Sequence, residues 1–216
     1  MLRMSPEEKF SRLAWGFSEK SYANLEEFMG HRLDLILRWG APLSPGDRVL
    51  ELGCGDGYLG CLLAKCGMEY WGVDIAPGMV EVARERARAQ GVDAKFLVMD
   101  INNPSLEESF DVIIALMRSF FTYAREPLKV LHWMRLHTSK KIIVDWNHFC
   151  SIPLREAIQY VRVAGFGHVD VRPFLVPMKR NIPRIAQKLL YALESLPQIG
   201  LFLTQKKFSV LIKGEP

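Results

Sequence analysis

The residues with the most obvious chemical use form a glycine-rich run, Gly53, Cys54, Gly55, Asp56 and Gly57, directly behind an apolar stretch. Glycines there permit a tight turn and close backbone approach, and a helix starting next offers free N–H groups. A strand, such a turn and a helix start, in that order, suit a nucleotide-like ligand. Gly55, Gly57 and Gly60 also satisfy GxGxxG, the dinucleotide fingerprint. Counted from Gly53, the first glycine after the strand, Tyr58 stands where that fingerprint needs its last glycine. No Gly-Lys-Ser/Thr follows, so a P-loop is excluded. Asp74 lies roughly 20 residues beyond the loop, where a carboxylate accepts hydrogen bonds from ribose hydroxyls. Asp100 closes a further apolar run. Taken singly, Asp74 and Asp100 also suit helix caps or turns, and Glu51 suits the orientation of loop amides.

These side chains need elements to position them. Apolar positions such as Phe28, Leu35 and Leu37 among charges predict helix over residues 5–39, and the run 42–47 reads as a turn. Short β-rich runs then alternate with helical patterns. Strands are expected at 48–52, 69–74, 94–99, 110–116 and 141–145, with helices ending near 66 and spanning 77–90, 127–137 and 154–164. Pro77 near the start and Gly91 just past the end of one helix follow the expected asymmetry. Near-continuous apolar strands argue for a parallel sheet covered on both faces. The fold class is therefore an open, doubly wound α/β domain. Beyond a strand at 168–172, the proline-containing segment 173–200 breaks the rhythm, with a helix at 185–196 before a last strand at 208–212. That segment reads either as an insertion or lid ahead of an edge strand, or as a helix packed on the sheet.

The span 48–146 resembles a class I, Rossmann-like S-adenosylmethionine-dependent methyltransferase. The resemblance rests on four motifs in order: residues 49–57, 72–79 with Asp74, 96–100 with Asp100, and 110–115. It implies a mostly parallel seven-stranded sheet and S-adenosylmethionine as cofactor, with S-adenosylhomocysteine as product. It also implies a division into an N-terminal helical cap (1–46), a Rossmann-like core (47–172), a helical insertion (173–206) and a last strand (207–216). By the same resemblance, Glu51, Gly53, Cys54, Gly55 and Gly57 surround the methionine end and Asp74 takes the ribose. Asp100 and the backbone of Ile101 meet the adenine edge, Ile75 and Met79 give it apolar contact, and Leu116 contributes through its backbone.

A sulfonium methyl is already electrophilic, so positioning supplies much of the rate and no residue is obliged to be catalytic. A base is needed only when the acceptor must lose a proton. The candidates are His148, after the fifth strand, and Tyr22, in the N-terminal segment that folds over the cofactor in many family members. His148 also suits a plain loop histidine, and Tyr22 ordinary packing. Arg118, Tyr123 and Trp146 sit beside strand ends, where an acceptor pocket is expected. Arg84, Arg86 and Arg88 read as a solvated helix face.

The run 116–120 lacks the Asn/Asp-Pro-Pro-Tyr/Phe signature of many amino-group methylators of bases and glutamine. A small-molecule acceptor, lipophilic in character, is therefore the leading expectation. RNA or protein methylation, or a non-catalytic S-adenosylmethionine-binding module, are the alternatives. In 216 residues, 49% hydrophobic and 24% charged, there is material for a sizeable core. A net charge of +4 is too weak a bias to argue for nucleic acid. Cys54, Cys61, Cys66 and Cys150 show neither a CxxC pair nor metal-ligand spacing, which fits a reducing, cytoplasmic setting and no metal. Residues 1–10 lack the apolar core of a secretory signal, and no apolar run reaches membrane-spanning length. The apolar stretch 189–203, flanked by Lys179, Arg180, Arg184, Lys188, Lys206 and Lys207, reads as a buried helix with a basic rim or as an interfacial lid in peripheral contact with a membrane.

Overall fold

Each helix start in the N-terminal segment is marked by local chemistry. The computed structural model describes residues 4–196 and 209–216. In α1 (Pro6–Leu13), Ser5 and Glu8 form a reciprocal capping box, with Pro6 in the first turn. A left-handed Gly16 then turns the chain into α2 (Phe17–Ser21), and the Asn24 side chain caps α3 (Leu25–Arg38). The expected single helical stretch is thus three helices, because Gly16 and Asn24 offer stops that its apolar spacing hid.

The α/β alternation follows as expected. In chain order come β1 (Arg48–Leu52), α4 (Tyr58–Lys65), β2 (Glu69–Asp74), α5 (Pro77–Gln90), β3 (Ala94–Val98) and β4 (Phe110–Ala115). After them come α6 (Phe120–Tyr123), α7 (Pro127–Leu136), β5 (Thr138–Asn147), α8 (Leu154–Val163), β6 (His168–Phe174), α9 (Arg184–Glu194) and β7 (Ser209–Glu215). The strands form one seven-stranded sheet in the order β3-β2-β1-β4-β5-β7-β6. β1 pairs parallel with β2 and β4, and the order reverses between them, placing a crevice at the carboxyl ends of β1 and β4. Both sheet faces are covered: Val49, Val112 and Ile143 pack with α3, α4 and α5, and Leu50, Ile113 and Val144 with α7 and α8. Each such fully buried side chain contributes about 1.5–3 kcal/mol.

The last strand is not the edge. β7 runs antiparallel between β5 and β6, so β6 takes the edge. Its two neighbours explain why β7 is so apolar, with Val210, Leu211 and Ile212 at most 1% exposed. Pairing with β7 lengthens β5 at its C-terminal end, to Asn147 opposite Ser209, and pairing with β4 at its start, where Thr138 stands opposite Phe110. β6 runs through Pro173, which an edge strand tolerates because its missing N–H faces no partner. The stretch 197–208, which includes part of the expected insertion, the expected apolar run to 203, Lys206, Lys207 and the start of the last strand, lies outside the described residues. No described helix is long and apolar enough to cross a membrane.

Candidate cofactor and acceptor site

β1 ends at Leu52, and the chain turns through Gly53 (φ +74°) and Gly55 (φ +56°) into Gly57 (φ +74°), which precedes α4. All three dihedrals lie in the left-handed region, where only glycine is unstrained. A side chain at Gly57 would strike Ala83 at 2.7 Å, so this glycine lets α4 and α5 approach. In front of Gly55 there is no atom within 4 Å of a would-be Cβ, leaving room for something else. Gly60, which completes the rival dinucleotide pattern, has a different reason to be small. Its Cβ would lie 2.4 Å from the Tyr70 ring.

The Asp74 carboxylate, at the end of β2, fixes this loop by accepting from Gly55 N (2.9 Å) and Ala76 N (3.0 Å). Burial still pushes its pKa up, against the pull of those N–H bonds. Asp100, after β3, accepts from the backbone and side chain of Asn102 and pairs with Arg125 at 2.7 Å. Those partners outweigh partial burial and hold its carboxyl below the usual range. Glu51 is buried within β1 and accepts from the Tyr70 hydroxyl at 2.6 Å. Desolvation pushes its pKa up to about 7, against the opposing pull of Tyr70 and Arg32.

These residues border one cavity of about 740 Å³, walled by the loop, the ends of β1, β2 and β4, the Asp100 turn, and α1, α2 and α3. Of the expected site residues, Glu51, Gly53, Cys54, Gly55, Asp74, Ile75, Met79, Asp100, Ile101 and Leu116 line it. Gly57 lies behind it and acts through packing. Tyr22 lines the cavity, and burial raises its hydroxyl pKa, so that it stays protonated. Arg118 and Tyr123 line it as well. Trp146 does not; its indole N–H is spent on Ile152 O at 2.9 Å.

His148 is not brought to the cavity, which corrects its candidacy as a base. The chain turns away after Asn147, whose side chain donates to Arg118 O at 2.6 Å. The exposed His148 ring then lies against Phe149, itself 77% exposed. The arginine trio on α5 is also corrected. Arg84 donates to Phe96 O, and Arg86 donates to the Asp56 backbone (3.0 Å), the Asp56 carboxylate (2.9 Å) and Glu19 (3.0 Å). Two of the three therefore hold structure rather than form a solvated face.

Three charged side chains to which the sequence reading gave no role support this site: Arg32 and Asp56 line the cavity, and Asp145 lies behind it. Arg32, 6% exposed, donates to Leu116 O at 3.1 Å and stacks over Phe28, while its Nε finds no partner among the described residues. Its signal was present in sequence: Phe28, Arg32, Leu35 and Ile36 share one helical face, so a cation sits on the buried stripe. Asp56 is buried and accepts from Ser18 N (2.9 Å) and Ser18 Oγ (2.6 Å), tying α2 to the loop. Asp145, at the end of β5, accepts from Ser119 N (2.8 Å) and Phe120 N (2.9 Å). Those bonds stabilise Arg118 and Ser119 at φ 67° and 108°, a conformation costly for non-glycine residues. Nothing local distinguishes Asp145 from an ordinary strand-end acid.

Residues 49–140 match a family model described as "Methyltransferase domain". Malonyl-[acyl-carrier protein] O-methyltransferase of Bacillus cereus is 38% identical over 59% of this chain and 47% of that protein. Ubiquinone biosynthesis O-methyltransferase of Xanthomonas campestris pv. campestris is 29% identical over 57% of this chain and 52% of its own length. The chain thus spans about half the length of these curated relatives. Among solved structures, phosphoethanolamine N-methyltransferase 2 of Haemonchus contortus, in complex with phosphomonomethylethanolamine and S-adenosylhomocysteine, superposes with a TM-score of 0.67 at 15% identity. That match covers 99% of this chain and 60% of the other. The fold is that of the class I methyltransferases.

Proposed function

With residues 49–140 as a methyltransferase domain for premise, we propose that this chain binds S-adenosylmethionine and transfers its methyl group to a small, largely apolar acceptor. The observation that carries the reading is the single cavity joining Asp100, Asp74 and the glycine loop to Tyr22, Met29 and Met117. Its volume suits small-molecule sites, about 300–1,000 Å³. A small-molecule acceptor draws further support from the name of one relative, which describes an O-methyltransferase of ubiquinone biosynthesis. The reading takes 1–46 as a cap, 47–172 as the core, and 173–206 as an insertion of the same unit.

The residues present fit the cofactor. The open space before Gly55 admits a backbone-hugging ligand, and Arg32, which lines the cavity, is a buried cation suited to a carboxylate. When bound, S-adenosylmethionine supplies a methyl on a positively charged sulfur. Asp74 would accept the ribose hydroxyls, Asp100 and Ile101 would meet the adenine edge, and Ile75 and Met79 would flank the ring. Glu51, Gly53 and Leu116 would surround the methionine end, with Arg32 on its carboxylate. Tyr22, Met29, Met117 and Arg118 would orient the acceptor in line and exclude water, an effect worth on the order of 7–11 kcal/mol in well-oriented systems. Tyr22, kept protonated by burial, serves as a hydrogen-bonding lid contact and not as a base. The four free cysteines support a reducing, cytoplasmic setting.

Calorimetry with S-adenosylhomocysteine and NAD tests the cofactor: binding of the first is expected, and binding of NAD alone overturns the reading. A radiolabelled methyl-transfer screen of cell extract, fractionated into lipid, RNA, protein and small molecules, tests the acceptor. Label confined to RNA or protein would displace the small-molecule reading.

A further inference from the structure

Helix α9 faces the wrong way for a helix held by the hydrophobic effect. Its inner stripe is Gln187, Leu190, Tyr191 and Glu194, and of these Gln187 and Glu194 are 7% and 1% exposed. Its outer stripe is Ile185, Leu189, Ala192 and Leu196, and the exposures of Ile185, Leu189 and Leu196 are 85%, 60% and 51%. Helices on soluble proteins turn their apolar stripe inward. Here polar bonds hold the inversion. The fully buried Glu194 carboxylate accepts from His31 Nε2 and from Leu175 N, both at 2.6 Å. The Tyr191 hydroxyl donates to Glu27, and its ring stacks on His31 at 4.1 Å. Three polar anchors thus turn the apolar stripe toward the outside. The sequence expectation of a helix buried by its apolar stripe is corrected: α9 is buried by its polar one.

The charges around that stripe have one sign. Arg184 and Lys188 lie on α9 beside Ile185 and Leu189, and Arg180 precedes them, all exposed and in no ion pair among the described residues. The only acid in the helix, Glu194, is buried and bonded inward. An apolar stripe rimmed by cations, without an outward acid, complements a surface that is apolar inside and anionic at its edge. We infer that the outer face of α9 docks on an anionic lipid bilayer, with Ile185, Leu189 and Leu196 entering the acyl boundary and Arg180, Arg184 and Lys188 meeting lipid phosphates. Glu27 and His31 of α3 hold α9, while Met29 and Arg32 of the same helix line the cavity. Docking by α9 therefore brings the cavity within one helix of the bilayer. The inference does not depend on methyl transfer, because vesicle binding is read without cofactor or acceptor.

Cosedimentation of the full chain with phosphatidylcholine vesicles, with and without 30% phosphatidylglycerol, tests it. Binding is expected only with the anionic lipid and should weaken with salt. The double variant Arg184→Glu and Lys188→Glu should lower the partition coefficient at least tenfold, since each cation near such a surface is worth about fivefold. It alters exposed side chains alone, so an unchanged melting temperature is expected. Ile185→Ser with Leu189→Ser should abolish binding while the protein stays folded. Absence of binding to anionic vesicles, or binding that survives both variants, overturns the inference. So does a serine variant that loses stability, which would mean that the chain itself covers the stripe. A concentration-dependent dimer that the serine variant dissociates, without vesicle binding, would assign the face to a second copy instead.

Discussion

Glu51 concentrates the chemistry of the loop in one carboxyl. Folded, it holds its proton up to about pH 7, against a reference value of 4.5. Between these values the folded state binds more protons than the unfolded one, so this group's contribution to stability falls as pH rises through that window. Glu51→Gln, which keeps an acceptor for the Tyr70 hydroxyl, should flatten the urea-midpoint profile between pH 5 and 8. A bound sulfonium and ammonium favour the ionised carboxylate. Affinity for S-adenosylmethionine should therefore rise several-fold from pH 6 to pH 8 in the parent and stay level in the variant, as read by calorimetry. Asp74 makes a second prediction. Replacing it with Ala removes the proposed charge-assisted ribose bonds, worth about 1.5–3 kcal/mol, and S-adenosylhomocysteine should bind more than tenfold more weakly. An unchanged affinity would mean that the ribose lies elsewhere. Because Asp74 also holds Gly55 N and Ala76 N, Asp74→Asn is the companion variant that keeps part of that support.

At the scale of elements, the N-terminal helices form one wall of the cavity and are latched to the loop that forms the other. Ser18 on α2 gives both its N–H and its hydroxyl to Asp56, and Arg86 on α5 braces the same carboxylate. α1 meets α5 where Ser11 Oγ accepts from Gly78 N at 3.3 Å, and a side chain at Gly78 would strike Ser11 O at 2.8 Å. Ser18→Ala deletes a buried bond to a charged group, of the order of 1.5–3 kcal/mol. Hydrogen exchange should then quicken across residues 6–21, with the sheet unchanged, because the loss falls on the docking of α2. Gly60 gives the complementary test in the core. Gly60→Ala must displace the Tyr70 ring, at a cost of about 1–3 kcal/mol, and should lower Tm by roughly 2–10 °C. Loss of stability without any NAD affinity in the parent would assign this glycine to packing.

For the whole molecule, the insertion of β7 between β5 and β6 closes the core around a lysine. Lys141 in β5 is wholly buried, and its ammonium donates to Trp39 O at 2.8 Å. Desolvation, with Lys213 adding repulsion, lowers its pKa from 10.5 to about 8. Below pH 8 the buried charge costs stability, and between about 8 and 10.5 the unfolded chain binds the extra proton. This group's contribution to stability therefore rises with pH in that window. Lys141→Met should remove that rise, measured as the difference in urea midpoint between pH 8 and pH 10.

Much of this was legible in the sequence because it is local. The strand, glycine turn and helix start at 48–58, the acids closing the next two strands, and the Pro77 and Gly91 limits of α5 follow from backbone chemistry within a few residues. So does the α/β alternation that fixes the fold class. Tertiary structure alone decided which polar groups share a wall. Arg32, Asp56 and Asp145 acquire their roles from partners 84, 38 and 26 residues away in sequence. His148, correctly set after a strand, was lost to the cavity because Asn147 bonds sideways to Arg118. The last strand moved from edge to interior, since strand order depends on antiparallel pairing that no local pattern encodes. The facing of α9 was hidden for the same reason. Periodicity gives a helix its two stripes, and only the partners Glu27, His31 and Leu175 determine which one is turned inward.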